Sequence, residues 1–355
     1  MNKVLIQAGA ALLGALAIMP AHAADPLQTP ARMSARAPKA MLTAMALAGQ
    51  RTVAVGERGI ILYRDGDGAW QQAKVPVSVT LTDVAFAGAS DGWAVGHDGA
   101  ILSSSDGGKQ WSRRFDGTQA NALMLADAQA AVAKAQAAGG DALMDAENAL
   151  GDIEAAAKFG ASRPLLSVWF RDAKTGYAVG AYGQAFRTAD GGASWSSMGS
   201  SLVNPEGLHY NAIAGGPGDM LAIAGEGGRV YRSMDGGASW QRMETGYSGQ
   251  LYGVLFTGKS MLAYGFGGHV FRSEDGGASW REMPAVTRKS LVGASLQGSS
   301  ILLATQDGAL LRSDDDGLTF KLVRQGDAVA TSGMLALNGK VLLSGMGGVR
   351  AAEAK

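Results

Sequence analysis

The sequence predicts an all-β fold, a seven-bladed β-propeller with one inserted α-helical hairpin, on three observations. A turn motif recurs: Ser233-Met234-Asp235-Gly236-Gly237-Ala238-Ser239-Trp240 has near copies ending at Trp111, Trp195 and Trp280, and looser ones ending at Trp70 and Phe320. A small or apolar run ending in glycine precedes each clean anchor aromatic, as in Ala94-Val95-Gly96, Ala178-Val179-Gly180, Ile223-Ala224-Gly225 and Ala263-Tyr264-Gly265. Leu303-Ala304-Thr305 takes the same place with Thr for Gly, and Ala54-Val55-Gly56 and Leu343-Ser344-Gly345 extend the series to seven copies. The third observation is spacing. The copies recur about every 40 residues, a length that holds four short strands, and one doubled step marks an insertion.

The turn motif is first a folding device. A short polar residue, Asp, two glycines and an aromatic read as a hairpin: the Asp oxygen caps turn amides, glycine tolerates positive φ, and the aromatic anchors the returning strand. On this reading Asp106, Asp190, Asp235, Asp275 and Asp315 are structural, and the anchor tryptophans pack between blades.

Taken in order, residues 1–23 read as a secretory signal: Lys3 supplies positive charge, residues 4–19 an apolar stretch, and Ala21-His22-Ala23 a small-x-small cleavage site. Cleavage there leaves a mature chain from Ala24 and a periplasmic or secreted location. Residues 24–40 form a leader without a repeat, and residues 41–355 the propeller. The last copy stops before any Asp box or anchor aromatic, which predicts a blade lacking its outer strand. Propellers avoid such an open edge by borrowing a strand from the other terminus, so a segment within residues 28–41 is the expected closing strand.

Each blade is read on residues 246–284: inner strand 251–256, second 260–264, third 269–273 and outer 280–283. Near-continuous apolar runs suit strands packed on both faces. The doubled step holds the insertion at residues 117–161. There, residues 121–138 and 141–159 are alanine-rich, nearly free of β-branched residues and separated by Gly139-Gly140, so they read as two helices. Leu125, Ala128, Val132 and Ala135 on the first, and Leu143, Ala146, Leu150, Ile153 and Ala157 on the second, form facing stripes. The remaining surface is acidic. A decorative hairpin and a docking arm both fit.

These repeats resemble Asp-box (BNR) repeats. The stretches Gly92 to Trp111 and Gly176 to Trp195 resemble the photosystem II stability/assembly factor family and its bacterial envelope relatives. The resemblance implies a β-propeller that binds a protein partner, with an arginine-rich patch on the propeller. It further implies, for the bacterial relatives, an accessory role beside transporters of the resistance-nodulation-division type. Photosystem II assembly itself is the alternative within the family. Asp boxes also occur in sialidases, so a glycoside hydrolase acting on glycans is the alternative outside it.

The composition gives little to an enzyme or a nucleic-acid binder. With 31 basic and 31 acidic side chains the bulk charge is neutral, and without cysteine the chain has no disulfide. The sialidase arginine triad has no counterpart, because Arg187, Arg232, Arg272 and Arg312 occupy one repeated blade position instead of converging. That column is broken at Ser103, and the first blade offers Tyr63 beside Arg64. Each guanidinium either lies along its blade and pairs with a carboxylate of a neighbouring Asp-box turn, or contributes to a patch for an acidic or carboxylate-bearing protein segment. The second partner-binding candidate is the face of the G-x-x-G tips between second and third strands. It carries Glu57, His97, Tyr182, Glu226 and Phe266 among variable residues on a fixed scaffold. By propeller topology the hairpin opens on this same face. No cofactor is expected, and His97, His209 and His269 lie too far apart in the repeat frame for a metal site.

Overall fold

Second strands bury every residue or nearly so: Gly176–Gly180, Leu221–Gly225, Met261–Gly265 and Ser300–Thr305 are wholly buried. Such unalternating strands must be covered on both faces, which places them inside a stack of sheets. The computed structural model describes residues 24–137, 139–337 and 339–353; the predicted signal, residues 1–23, lies outside the described residues. Among these are seven antiparallel sheets, six of four strands and one of three, each with its strands side by side in chain order. The fifth sheet is the pattern: Leu251–Phe256, Met261–Gly265, Val270–Ser273 and Arg281–Glu282, matching the expected blade to within a residue or two.

The inner strands follow one another, Leu42–Ala48, Leu81–Ala87, Leu165–Phe170, Tyr210–Gly215, Leu251–Phe256, Leu291–Gln297 and Thr331–Leu337, and the last lies beside the first. Each skips one residue of its pairing register near its start, a β-bulge. The bulge frees a side chain from the ladder and turns it towards the next sheet. Thr43, Thr82 and Asn211 use it to donate to the Leu81, Leu165 and Leu251 carbonyls of the following inner strand, at 2.7, 2.7 and 2.9 Å. Apolar clusters fill the space between neighbouring sheets; Trp93 stacks on Phe170 with ring centres 3.5 Å apart and planes 5° from parallel. Trp111, Trp195 and Phe320 are buried there, while Trp240 and Trp280 are partly buried.

The expected closing strand does not form. Residues 28–41 contain a short 3-10 turn, Ala37–Lys39, and the seventh sheet keeps three strands. The leader instead straps the first and second sheets. Leu27 and Ala31 are buried against Val75 and Val77, Ala31 N–H donates to the Val75 carbonyl, and Ser78 N–H to that of Pro26. A Pro-containing segment with few free N–H groups suits a strap better than a ladder strand.

The insertion is helical. α1 (Gly117–Gln136) starts four residues before the sequence-based boundary because Asp116 and Gln119 form a reciprocal capping box. α2 (Gly140–Ala157) returns antiparallel to it. α1 docks on the third sheet: Ala120 and Ala128 are buried, and the Asp127 carboxylate accepts from Ser197 Oγ and Ser200 N–H, both at 3.0 Å. α2 has no buried residue and packs mainly on α1.

Candidate functional site

The five Asp boxes share one geometry. In the box of the fourth sheet, Ser233 Oγ donates to Asp235 and accepts Gly237 N–H, while Asp235 accepts Ser239 N–H at 2.9 Å and Ser239 Oγ at 2.6 Å. Asp275 and Asp315 repeat this with Ser279 and Thr319, Asp190 with Ser194, and Asp106 accepts the Lys109 and Gln110 amides. These donors, the hydroxyl first, hold the carboxyls of Asp190, Asp235 and Asp315 down at about 2. Each box is a self-contained turn with its acid occupied.

The opposite face carries the G-x-x-G tips. In all seven, the first tip residue donates its N–H to the carbonyl just before its own inner strand: Glu57 to Met41, His97 to Thr80, Ala181 to Pro164, Glu226 to His209, Phe266 to Gln250, Gln306 to Ser290 and Met346 to Ala330, at 2.8–3.0 Å. Five tips are 3-10 turns whose middle residue, Arg58, Asp98, Tyr182, Gly227 or Gly267, has positive φ. The N–H clamp is therefore common to all seven tips, five of them share the turn as well, and the side chains differ. Tyr182, Phe266 and Met346 are 54%, 56% and 64% exposed, and His97 is exposed. Glu57 is engaged locally, accepting Met41 N–H at 3.0 Å.

Around Tyr182 the tips interlock. The Arg163 guanidinium lies over its ring at 5.3 Å, His209 packs against it at 4.8 Å, His209 Nδ1 is 3.0 Å from Glu226, and Glu226 accepts from Gln250 Nε2 at 3.1 Å. Arg163, His209 and Gln250 were not among the site residues the sequence suggested. They sit in the outer-to-inner connections, where lengths vary and the repeat frame gives no landmark; immediate proximity to the inner strand was their only signal. The hairpin opens on this face: the Gly117 backbone touches the Asp98–Gly99 tip. Between α1, α2 and the third sheet lies a groove of about 470 Å³, lined by Met124, Ala128, Ile153, Tyr182, Leu202 and Glu206.

The arginine column lies towards the Asp-box face and is not a continuous patch. Arg272 is 7% exposed and bound to Asp316 and Glu274. Arg232 reaches the Asp275 and Gly276 carbonyls of the next sheet as well as Gln241. Arg312 pairs with Asp314 at 2.8 Å, and Arg187 is exposed, its guanidinium the one of the four with no hydrogen bond or ion pair among the described residues. Pairing with a carboxylate of the neighbouring box describes Arg272, through Asp316, whereas Arg232 meets carbonyls there.

A central cavity of about 510 Å³ is lined by inner-strand residues, among them Thr43, Thr82, Asp83, Ser167, Asn211 and Tyr252. Its lining brings one carboxylate and no arginine, so the acid pair that glycoside hydrolysis requires does not meet there. Asp83 accepts Val84 N–H, Ser167 Oγ and Val168 N–H, latching the second inner strand to the third. Burial pushes its carboxyl up to about 6 despite these donors. Among the described residues no group of three His, Asp or Glu side chains is placed to hold a metal ion.

The chain matches the family model described as photosynthesis system II assembly factor YCF48 over residues 63–130 and 155–286, more than half its length. It is 29% identical over 165 residues to the photosystem II assembly protein Ycf48 of Synechococcus sp. (strain JA-2-3B'a(2-13)), covering 44% of this chain and 48% of that protein. The same protein of strain JA-3-3Ab is 47% identical over 47 residues, 13% of this chain and 14% of the relative. The chain thus matches about half the length, or less, of these relatives. Among solved structures, YCF48 bound to a D1 peptide superposes with TM-score 0.64 at 16% identity, covering 90% of this chain and 94% of that one. YCF48 from Cyanidioschyzon merolae gives 0.60 at 15%, covering 91% and 97%, and the WD40 β-propeller domain of Doa1 gives 0.62 at 9%, covering 92% and 96%. At these identities the likeness is one of fold, a β-propeller, and the family match carries the assignment: the chain belongs to the photosynthesis system II assembly factor YCF48 family.

Proposed function

We propose that this chain is a non-enzymatic propeller scaffold that binds a protein partner in the bacterial envelope, on the face of the seven tips. The seven sheets then act as seven blades of one closed ring, a reading supported by the contact of the last inner strand with the first. The observation that carries the partner site is the tip geometry: seven identical backbone clamps present seven different side-chain sets, with Tyr182, Phe266 and Met346 held out to solvent. A rigid scaffold with variable, exposed aromatic and Met side chains is the composition of a protein-binding surface. A solved relative is described as bound to a D1 peptide, which supports a polypeptide as the ligand.

Periplasmic location and an accessory role beside a resistance-nodulation-division transporter belong to the same proposal and rest on the signal-like residues 1–23 and the resemblance to envelope relatives. A second reading, assembly of photosystem II itself, is favoured by the names of the matched relatives.

Affinity purification from cross-linked cells tests both. Wild type is expected to recover a membrane complex, and a Tyr182→Ser/Phe266→Ser/Met346→Ser variant to lose at least about tenfold of it, equivalent to about 1.4 kcal/mol. Undiminished recovery by the variant overturns the tip face, and recovery of nothing by wild type overturns the scaffold. Transporter components in the complex favour the first reading, photosystem subunits the second.

A further inference from the structure

On the Asp-box face, each sheet reaches into the box of the next. Arg51 Nη1 donates to the Asp106 and Gly107 carbonyls at 3.2 and 3.0 Å. Arg232 Nη1 donates to those of Asp275 and Gly276 at 3.4 and 3.2 Å. Arg272 donates through Nε to the Asp316 carbonyl and through Nη2 to its carboxylate, both at 2.7 Å. Three boxes thus hold a guanidinium from the preceding sheet. The box turn aims carbonyls at its neighbour, and a planar cation with several N–H donors fits them. At the fourth sheet the Gly236 carbonyl accepts Tyr177 Oη instead, with Arg171 close by on Asp219.

The junction between second and third sheets departs from this. Trp93 Nε1 donates to the Gly191 carbonyl at 2.9 Å, and among the described residues no arginine donates to the Asp190–Gly191 turn. Ser103 stands in the register position that Arg232 and Arg272 fill in their sheets, opposite Trp93. Where a guanidinium lies in the sister junctions, a cavity of about 500 Å³ opens, walled by Asp91, Trp93, Ser103, Asp106, Arg114 and Asp190. Arg114 Nε is tied to Ser103 Oγ at 2.8 Å and forms part of the wall. Three carboxylates against one guanidinium leave the cavity net negative.

We propose that this cavity binds a guanidinium group from outside the chain, replacing the arginine that Ser103 omits. The group enters as the side chain of an arginine on a partner polypeptide or as a small guanidinium compound; the chemistry is the same. Recognition has three parts: Asp91 and Asp106 supply charge, the Asp190 carbonyl, counterpart of the Asp106 and Asp275 carbonyls that accept arginine in the sister boxes, and the serine hydroxyls supply acceptors, and Trp93, already bound to the Gly191 carbonyl, closes the inner wall. A lysine ammonium is a compact point charge without the planar fork and fits the turn less well. This site lies opposite the tip face and stands or falls independently of the partner proposed there.

The test is titration of the full chain with N-acetyl-arginine N-methylamide, its lysine analogue and a short peptide with one internal arginine, read at the Trp93 indole N–H by NMR. The arginine probe is expected to shift that resonance and to bind at least about tenfold more tightly than the lysine probe. Ser103→Arg, which supplies the guanidinium in cis as the sister sheets do, is expected to abolish the shift. Asp91→Asn, an isosteric change at the rim, weakens binding severalfold and guards against misfolding of the first variant. Binding of the peptide as tightly as of the single residue identifies a polypeptide source; binding of the single residue alone identifies a small compound. Equal affinity for lysine, an unchanged affinity in a folded Ser103→Arg variant, or no shift with wild type overturns the site.

Discussion

At the scale of single residues, two kinds of aspartate respond to pH in opposite directions. The box aspartates have carboxyls depressed by hydroxyl and amide donors, so their contribution is present above the ordinary carboxylate range and is lost as pH falls towards 2. Asp83 has its carboxyl raised by burial to about 6, so its charged form is disfavoured in the fold. Stability from this residue is greatest below its unfolded value near 3.8 and declines as pH rises through 6. Its place on the cavity wall leaves some access to water, which trims the effect to about 1–2 kcal/mol. Urea midpoints of wild type should therefore fall between pH 4 and pH 7 relative to those of Asp83→Asn, which has no such titration. Parallel pH profiles in the two proteins would show that Asp83 titrates normally. The variant loses one acceptor for the Ser167 and Val168 donors and is less stable overall, so the comparison lies in the slope.

At the scale of elements, the hairpin is the least anchored part of the chain. α1 is fixed by Ala120, Ala128 and Asp127, but α2 buries nothing fully, and Leu143, Leu150 and Ile153 are only half-buried. The alanine-rich composition, with one β-branched residue in each of residues 121–138 and 141–159 and apolar side chains at helical spacing, made both helices legible. The start of α1 was not legible: Asp116-Gly117-Thr118-Gln119 looks like another polar turn after a strand, and only the reciprocal hydrogen bonds of Asp116 and Gln119 show it as a cap. Asp116→Ala removes the cap and a 3.5 Å ion pair with Arg113. It should cost α1 about 1 kcal/mol, read as roughly fivefold faster amide exchange through Gly117–Gln136 with the sheets unchanged. Uniform acceleration across the sheets would instead mean that the hairpin unfolds only with the whole domain.

At the scale of the molecule, the 40-residue spacing made the sheets, tips and boxes legible, because each is a local device repeated in register. What passes between sheets was not legible. The same box carbonyl is met by Arg51, Trp93, Tyr177, Arg232 or Arg272, since the donor depends on which two side chains share the junction and not on the repeat. The leader was misread for a related reason: an open edge in the seventh sheet suggested a missing strand, whereas Leu27 and Ala31 found a better apolar seat at Val75 and Val77. Deleting residues 24–36 tests the strap. It exposes apolar surface equivalent to one large and one small side chain and removes the Arg113 bond to the Leu27 carbonyl. The expected loss is about 2–4 kcal/mol, visible as a lower urea midpoint with an unchanged β-sheet spectrum. The location of the damage separates strap from strand. If the leader were the outer strand of the seventh sheet, amide exchange would rise in Gly348–Ala352. The strap predicts faster exchange at Ser78, whose N–H now donates to the Pro26 carbonyl, with Gly348–Ala352 left as protected as in wild type.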